Sequence, residues 1–239
     1  MKLEGRIMNT ALIMMGGVGS RFGASIPKQF VEVDNRPVFT YLLEAYDKFP
    51  LVENIFIVCH PEWIDFTEEW AHRLSIDKLK RVVGGGVNRS QSVQFGLEAI
   101  GELANDDDIV LIHDVTHPFL DKRNTAVCIE KAMQCGASTM VGTCFDTMYQ
   151  VDSEGYINSV LPREFIVSAT APECFKFDVV FPLYKGKTAE ELELMTSAGA
   201  MMVAHSQPVA IVRTPLLNLK ITLHEDMEAF KKLIYGYYY

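Results

Sequence analysis

Residues 10–23 read Thr-Ala-Leu-Ile-Met-Met-Gly-Gly-Val-Gly-Ser-Arg-Phe-Gly. The first six form a short apolar run that is typical of a buried strand, and a glycine-rich loop follows directly. Closely spaced glycines let the backbone turn tightly and point several N–H groups at an anion, while Arg21 and Lys28 bring positive charge to the same loop. The segment therefore predicts a strand followed by a polyphosphate-binding loop, with a merely structural turn as the alternative.

Two well-known phosphate-binding motifs do not match. A dinucleotide-binding GxGxxG that starts at Gly17 requires glycine at the position of Phe22. The Walker motif requires GxxxxGK[ST], but the Gly-Lys-Thr at 186–188 has Phe181 in place of the first glycine. We interpret residues 186–188 as a surface turn before a helix.

Outside this loop, short apolar runs alternate with helical patterns. The clearest strands are Thr10–Met15, Asn54–Cys59, Ile109–His113, Thr139–Gly142 and Val209–Arg213. Helices are predicted at Val38–Phe49, Glu62–Leu74, Arg89–Ile100, Lys122–Gln134 and Glu225–Tyr235. This order indicates βαβ units, and we expect an α/β fold with a mainly parallel sheet and helices on both faces.

One segment interrupts the alternation. Thr147–Val151 and Tyr156–Leu161 both alternate apolar and polar residues, and the turn sequence Asp-Ser-Glu-Gly at 152–155 separates them. We predict a β-hairpin arm inserted at about 146–171 into a single domain that spans 1–239. An arm of this kind often packs against a second subunit, so we expect a homodimer.

Composition restricts the class of protein. The 239 residues are 49% hydrophobic, and 31 acidic against 22 basic residues give a formal net charge of −9. Such a field repels polyanions, so a nucleic-acid partner is not expected. The five cysteines contain no CxxC pair, and neither a membrane-spanning run nor a signal peptide is recognisable. We expect a cytoplasmic protein with reduced thiols.

Several motifs, in this order, resemble the cytidylyltransferases that join CTP to a polyol phosphate. The group includes ribitol-5-phosphate cytidylyltransferase and 2-C-methyl-D-erythritol 4-phosphate cytidylyltransferase. The matching segments are Gly-Gly-x-Gly-x-Arg-x-Gly from Gly16, Pro27-Lys28-Gln29, 85–93 (Gly-Gly-Val-Asn-Arg-Ser-Gln-Ser-Val), 113–119 (His-Asp-Val-Thr-His-Pro-Phe), Asp146-Thr147, Arg163 and 218–222 (Asn-Leu-Lys-Ile-Thr). Residues 60–64 and 117–120 are more similar to the ribitol-phosphate branch.

The resemblance implies a Rossmann-like three-layer α/β/α nucleotidyltransferase fold and attack by an acceptor phosphate oxygen on the α-phosphorus of CTP. Arg21 and Lys28 match the residues that stabilise the transition state, and Arg163 and Lys220 match the pair that holds the incoming phosphate. The implied nucleotide-binding residues are Met15, Gly16, Gly17, Gly19, Gly86, Arg89 and Ser92. The implied acceptor-binding residues are Asp114, His117 and Thr196. Mg²⁺ is implied as a bridge between phosphate oxygens, with Asp114 as a possible outer partner.

Some of these residues have a simpler interpretation. Ser92 can equally cap or follow the start of a helix. His113 and His117 are four residues apart, but they lack a third ligand, so we interpret them as structural or substrate-contacting rather than metal-binding.

Five positions, in four segments, depart from the family pattern. His117 stands where the family usually has arginine, Ser197 replaces an aspartate, Val87 replaces an acid near the base, and Ala171-Pro172-Glu173 replaces Thr-Pro-Gln. These changes concern mainly the acceptor side. We therefore favour ribitol 5-phosphate, with CDP-ribitol as the product. The erythritol enzyme and a non-catalytic nucleotide-binding homologue remain as alternatives; retention of Arg163 and Lys220 argues against the latter.

Overall fold

The computed structural model describes residues 6–17, 26–215 and 219–238. In this part of the chain the strands are β1 (Asn9–Met15), β2 (Glu32–Val33), β3 (Arg36–Pro37), β4 (Asn54–Cys59), β5 (Leu79–Gly84), β6 (Ile109–Asp114), β7 (Ala137–Thr143), β8 (Met148–Val151), β9 (Ile157–Leu161), β10 (Val167–Lys176) and β11 (Ala210–Arg213). The helices are α1 (Phe39–Asp47), α2 (Ile64–Arg73), α3 (Arg89–Gly101), α4 (Lys122–Cys135), α5 (Phe177–Tyr184), α6 (Ala189–Glu193), α7 (Ala198–Ala204) and α8 (His224–Tyr238).

Seven strands form the central sheet, in the order β11-β7-β10-β6-β1-β4-β5. Six of them run parallel, whereas β10 is antiparallel to both of its neighbours. The predicted α/β fold with a mainly parallel sheet is therefore confirmed. The sheet brings the carboxyl ends of β1, β4, β5 and β6 to one edge, which is where open parallel sheets usually bind ligands.

Strand β1 divides the core between the two faces of the sheet. All seven of its residues are buried. Ile13 packs with α1, α2 and α4 on one face, and Leu12 packs with α3, α5 and α7 on the other. Because successive side chains of a strand point to opposite faces, one uninterrupted apolar run supplies both layers of the core.

The C-terminal helix covers a smaller apolar cluster. Met227, Phe230 and Ile234 of α8 pack there with residues of α1 and the β6–α4 loop. The predicted helix is confirmed, and Leu233, next to the buried Ile234, lies outside this cluster and is exposed. Within the described residues, no helix has both the length and the apolar composition needed to span a bilayer.

The inserted arm is confirmed as the two-stranded antiparallel hairpin β8–β9. Its turn ends at Gly155, whose φ of 90° favours glycine. The predicted end of the arm at residue 171 was wrong, because β10 begins at Val167, and Val167, Ser168 and Ala169 already pair with β7 in the central sheet. The sequence pattern missed β10 because Pro172 and Glu173 interrupt its apolar run.

The pattern also missed two helices of at most eight residues, namely α5 and α7. At the Gly-Lys-Thr sequence, Thr188 begins α6 with a capping box, in which its hydroxyl accepts the Glu191 N–H and the Glu191 carboxylate accepts the Thr188 N–H. The interpretation of residues 186–188 as a turn before a helix is therefore confirmed.

The close packing of α3 on β1 leads to a stability prediction. A Cβ atom on Gly96 would lie 2.6 Å from Leu12 Cδ1 and 3.0 Å from Val58 Cγ2, and both neighbours are fully buried. We expect Gly96→Ala to destabilise the fold by about 1–3 kcal/mol through overpacking. Gly236→Ala is the matched control, because a Cβ there meets nothing within 4 Å. Thermal unfolding should show a lower Tm for the first variant only; equal Tm values would contradict the prediction.

Candidate active site

The predicted nucleotide loops lie together at the carboxyl edge of the sheet. Gly16 and Gly17 follow β1, and Gly85 and Gly86 follow β5. Asp114 is the last residue of β6, which pairs with β1 on the side opposite to β4. Chain segments that are about 70 to 100 residues apart in sequence thus meet at one edge of the sheet.

The side chain of Gln29 holds the first glycine loop in place. Its Nε2 donates to the carbonyl oxygens of Met15 and Gly17, both at 2.8 Å. Gln29 is buried in the short turn Lys28–Phe30. Gln29 belongs to the Pro-Lys-Gln motif, but no role for it was predicted, since a buried glutamine shows its function only when its partners are known. Gly19 and Arg21 lie outside the described residues, so their phosphate-binding and transition-state roles stay predictions.

Ser92 lies where the two glycine loops meet. Its Oγ accepts the Gly86 N–H at 3.0 Å and donates to the Asn88 carbonyl at 2.9 Å. A Cβ atom on Gly16 would lie 3.6 Å from the same oxygen. Asn88 is the residue that caps α3, accepting the Gln91 N–H at 2.8 Å. Ser92 therefore shapes the second loop from inside the first turn of the helix, and its predicted contact with nucleotide is compatible with that place.

Glycine at position 86 has a steric reason. A Cβ there would lie 2.5–2.8 Å from atoms of the Gln91 side chain, whose Oε1 accepts the Val87 N–H at 2.9 Å. The backbone of this loop is therefore packed closely against the first turn of α3.

An ion pair connects the predicted nucleotide and acceptor residues. Nε and Nη2 of Arg89 donate to one oxygen of Asp114 at 3.1 and 2.9 Å. Burial raises the pKa of Asp114, but the charge and hydrogen bonds of Arg89, together with the charges of Lys220 and His117, outweigh it and hold the pKa below its usual value. Asp114 is therefore an anion at neutral pH.

Lys28 and the segment of Lys220 also meet in the structure. Lys28 Nζ donates to the carbonyl oxygen of Ile221, the residue that follows Lys220. The Ile221 N–H in turn donates to the Thr116 carbonyl at 2.8 Å. Two basic residues that are distant in sequence are thereby placed next to the loop that follows Asp114.

His113 has a structural role. It is fully buried, its Nδ1 lies 2.8 Å from the Tyr46 hydroxyl, and its Nε2 lies 2.9 Å from the His117 carbonyl. Burial, with a smaller contribution from the charge of His117, lowers the pKa of His113 to about 3. The neutral ring therefore donates through Nε2 and accepts from Tyr46. His117 itself lines a small cavity together with Ala171 and Thr214, so two of the departures from the family pattern are neighbours.

Metal binding by side chains alone finds no support in the described ranges, which contain no group of three or more His, Cys, Asp or Glu residues placed to hold an ion. Asp114 is a single carboxylate at the carboxyl edge of the sheet, beside the two glycine loops. This donor set suits Mg²⁺, which usually binds through one or two carboxylates plus substrate phosphates.

Thr196 is held close to the nucleotide loop. Ser90 Oγ, in the first turn of α3, donates to the Met195 carbonyl at 2.7 Å. The next residue, Ser197, caps α7. Position 197 lacks the carboxylate of the family pattern, but the structure places the carboxylate of Glu173 at this same helix start, where it accepts the N–H groups of Ala198 and Gly199. No sequence signal linked Glu173 to Ser197, which are 24 residues apart.

Arg163 lies on the arm. It begins the short turn Arg163–Phe165 after β9, it is exposed, and its Nη1 donates to the Phe145 carbonyl at 2.6 Å. The arm leaves the sheet between β7 and β10, at the edge that carries the glycine loops. Arg163 is thus at the same end of the molecule as Lys28 and Lys220, but on a projecting element.

The arrangement matches known structures over nearly its whole length. The 4-diphosphocytidyl-2C-methyl-D-erythritol synthase of Anaerococcus prevotii is 20% identical, each chain covers 96% of the other, and the TM-score is 0.79. The 2-C-methyl-D-erythritol 4-phosphate cytidylyltransferase (IspD) of Francisella tularensis is 22% identical with a TM-score of 0.76, over 93% of this chain and 97% of that one. At these identities the likeness shows the shared fold.

Sequence relatives come from the other branch. The ribitol-5-phosphate cytidylyltransferase of Lacticaseibacillus paracasei is 28% identical over 226 residues, which are 94% of this chain and 97% of that protein. The enzyme of the same name from Streptococcus agalactiae serotype Ia is 28% identical over 95% of both chains. The family model of IspD, 2-C-methyl-D-erythritol 4-phosphate cytidylyltransferase, matches residues 9–234. The chain therefore belongs to the IspD family of cytidylyltransferases, which are nucleotidyltransferase enzymes.

Proposed function

We propose that this enzyme transfers a cytidylyl group from CTP to D-ribitol 5-phosphate, giving CDP-ribitol and pyrophosphate. The observation that carries the proposal is the convergence of Lys28, the Lys220 segment and the Arg89–Asp114 pair beside the two glycine loops. Ribitol phosphate is the acceptor in the names of the relatives that align over nearly the whole chain.

In the proposed reaction an oxygen of the acceptor phosphate attacks the α-phosphorus of CTP. One P–O bond forms to the acceptor, the bond between the α-phosphorus and the bridging oxygen breaks, and pyrophosphate leaves with that electron pair. Catalysis of this type depends on positioning and on neutralising charge. We assign charge neutralisation to Lys28 with Arg21, and the hold on the acceptor phosphate to Lys220 with Arg163.

The nucleotide is assigned to the glycine loops. Backbone N–H groups of residues 16–19 would contact the triphosphate, and Gly86, Arg89 and Ser92 would line the base and ribose side. Nη1 of Arg89 is buried and has no hydrogen-bond partner in the described part of the chain, so it is the donor we expect to meet the nucleotide. Mg²⁺, when bound, would be held by Asp114 together with the substrate phosphates and would offset their negative charge.

The second candidate acceptor is 2-C-methyl-D-erythritol 4-phosphate. The matching family model and the similar solved structures favour it. We rank it lower because His117, Ala171 and Ser197 depart from the pattern on the acceptor side.

We further propose a homodimer formed through the arm. Tyr149 and Val160 face each other across the hairpin and are 51% and 63% exposed. An isolated two-stranded hairpin is at best marginally stable in water, so an apolar face on such an arm favours a partner surface. All five cysteines are free thiols, which supports a reducing compartment such as the cytoplasm.

The first prediction concerns Lys28. If its ammonium group neutralises charge that develops in the transition state, Lys28→Ala should lower kcat by about 100-fold or more while CTP affinity changes much less. Pyrophosphate release and CTP titration would measure the two effects. Lys231→Ala on α8, which removes an exposed ammonium paired with Glu228, is the control. A nearly unchanged kcat for Lys28→Ala would contradict the assignment.

The second prediction concerns the acceptor. A panel that crosses CTP and UTP with ribitol, erythritol, glycerol and methylerythritol phosphates should show the highest kcat/KM for CTP with ribitol 5-phosphate. His117→Arg replaces a weak, pH-dependent charge with a permanent one, so it should change the order of the acceptors more than the KM for CTP. Equal effects on every acceptor would remove His117 from acceptor binding. Tight CTP binding without turnover of any acceptor would favour the non-catalytic alternative.

The third prediction concerns the arm. Val160→Glu places a charge on the apolar face of the hairpin and should convert the dimer to a monomer in analytical ultracentrifugation. Ser159→Glu is the matched control, since Ser159 lies on the opposite face, where its hydroxyl bonds to Gln150, and this variant should remain a dimer. A dimer that survives Val160→Glu would place the interface elsewhere.

A further inference from the structure

A buried carboxylate lies behind the proposed substrate site. Glu173 is in β10, an interior strand of the sheet, and is only 9% exposed. Its Oε1 accepts the Gly199 N–H at 2.8 Å, and its Oε2 accepts the Ala198 N–H at 3.3 Å. A Cβ on Gly199 would lie 2.6 Å from Oε1. The carboxylate is therefore seated directly on the first turn of α7.

The charge of this residue is unfavourable for the fold. Burial raises the pKa of Glu173, the nearby Asp114 raises it further, and Arg89 and the two backbone N–H groups only partly oppose them. A carboxyl group whose pKa is raised in the folded state stabilises the protein when it is protonated, and that contribution is lost as the pH rises through the folded-state pKa. A neutral glutamine of the same shape would avoid this loss.

The helix start that Glu173 holds continues the segment that carries Thr196. On its other side this segment is fastened by α3 and its cap: Asn88 Nδ2 donates to the Ala189 carbonyl at 2.9 Å, and Ser90 Oγ donates to the Met195 carbonyl at 2.7 Å. Thr196 is itself exposed. The proposed acceptor segment is thus fixed between the nucleotide-binding helix and one carboxylate of β10.

We propose that Glu173 is a positioning residue for the acceptor, because its carboxylate fixes the backbone of residues 196–199 relative to Arg89 and Asp114. The proposal rests on the proposed function. It goes beyond that function because it assigns the placement of Thr196 toward the polyol to Glu173, a residue buried behind the site. Both oxygens are required, since each accepts one of two adjacent N–H groups and a glutamine can accept only one of them.

The test is Glu173→Gln, with Glu193→Gln on the exposed side of α6 as the matched control. We expect the KM for the acceptor to rise roughly tenfold, as about 1.4 kcal/mol for a lost charged hydrogen bond predicts. CTP affinity, measured by calorimetry, should change less than about twofold, because the ion pair between Arg89 and Asp114 is retained. The Tm at pH 8 should change little, because the lost hydrogen bond destabilises the fold while removal of the buried charge stabilises it. A lower Tm with an equal loss of CTP affinity and acceptor KM would show a merely structural role and overturn the proposal.

A pH profile gives a second readout. The ionisable groups that influence or are influenced by Glu173 are Arg89, Asp114, Tyr184, Cys128 and Cys174. The quantity to measure is kcat/KM for the acceptor in wild type divided by the same constant in Glu173→Gln. This ratio should be largest at pH values where Glu173 is ionised, and it should fall toward one as acidification protonates Glu173. The pH dependence that arises from ionisation of the substrate phosphate is the same for both enzymes and therefore cancels in this ratio. A ratio that is constant with pH would exclude the charge as the active feature.

Two further measurements keep the test independent of turnover. Glu173→Gln with Ser197→Asp returns a carboxylate to the same helix start, because aspartate is a favoured N-cap, and should recover most of the acceptor KM. Hydrogen exchange of residues 196–200 should speed up in Glu173→Gln and not in Glu193→Gln. If wild type turned over no acceptor, the proposed function would fail while exchange still tested the Glu173 contacts; unchanged exchange would overturn those contacts whatever the activity.

Discussion

Two hydrogen bonds from Arg89 to one oxygen of Asp114 hold the site together. They join the first residue of α3 to the last residue of β6, and so they fix the loop after β5 relative to the loop that carries His117. Lys220 is held beside this second loop by the bond between Ile221 and Thr116. An ion pair with these bonds constrains two elements in direction as well as distance, which a lysine in place of Arg89 would not do.

The groups around this pair fall into two sets. Those on the proposed nucleotide side, such as Ser92 and Gln29, are held by backbone contacts inside one or two neighbouring loops. Those on the proposed acceptor side depend on longer connections, from His113 to the backbone of His117 and from Glu173 to the start of α7. Substitutions on this second side therefore require compatible changes at positions that are distant in sequence, such as His117 and Ala171, which line one cavity.

The sequence was sufficient for elements that carry a periodic signal. Strand β1 was predicted from its apolar run and α3 from its helical pattern, whereas β10 was missed because a proline and a glutamate lie in its interior. The convergence of Lys28 with the segment of Lys220 was expected only from the family motifs, because no local property connects them. Gln29 and Glu173 were noted in motifs but given no role, since a buried polar side chain shows its role only through partners that the fold brings to it. Arg21 and Gly19 remain known from motif and charge alone.

The antiparallel direction of β10 also affects how the arm is built into the molecule. The chain leaves the sheet at the end of β7 and returns at the start of β10, at the same edge. Thr143 and Val167 are therefore paired neighbours, and the arm is an insertion whose two ends lie side by side. Lengthening such an insertion adds little to the entropic cost of closing it, about 0.6 kcal/mol for each doubling of its length. The sheet can therefore keep its register while the arm varies in length and surface. Evolution can in this way change what the arm contacts without altering the chemistry at the neighbouring strand ends.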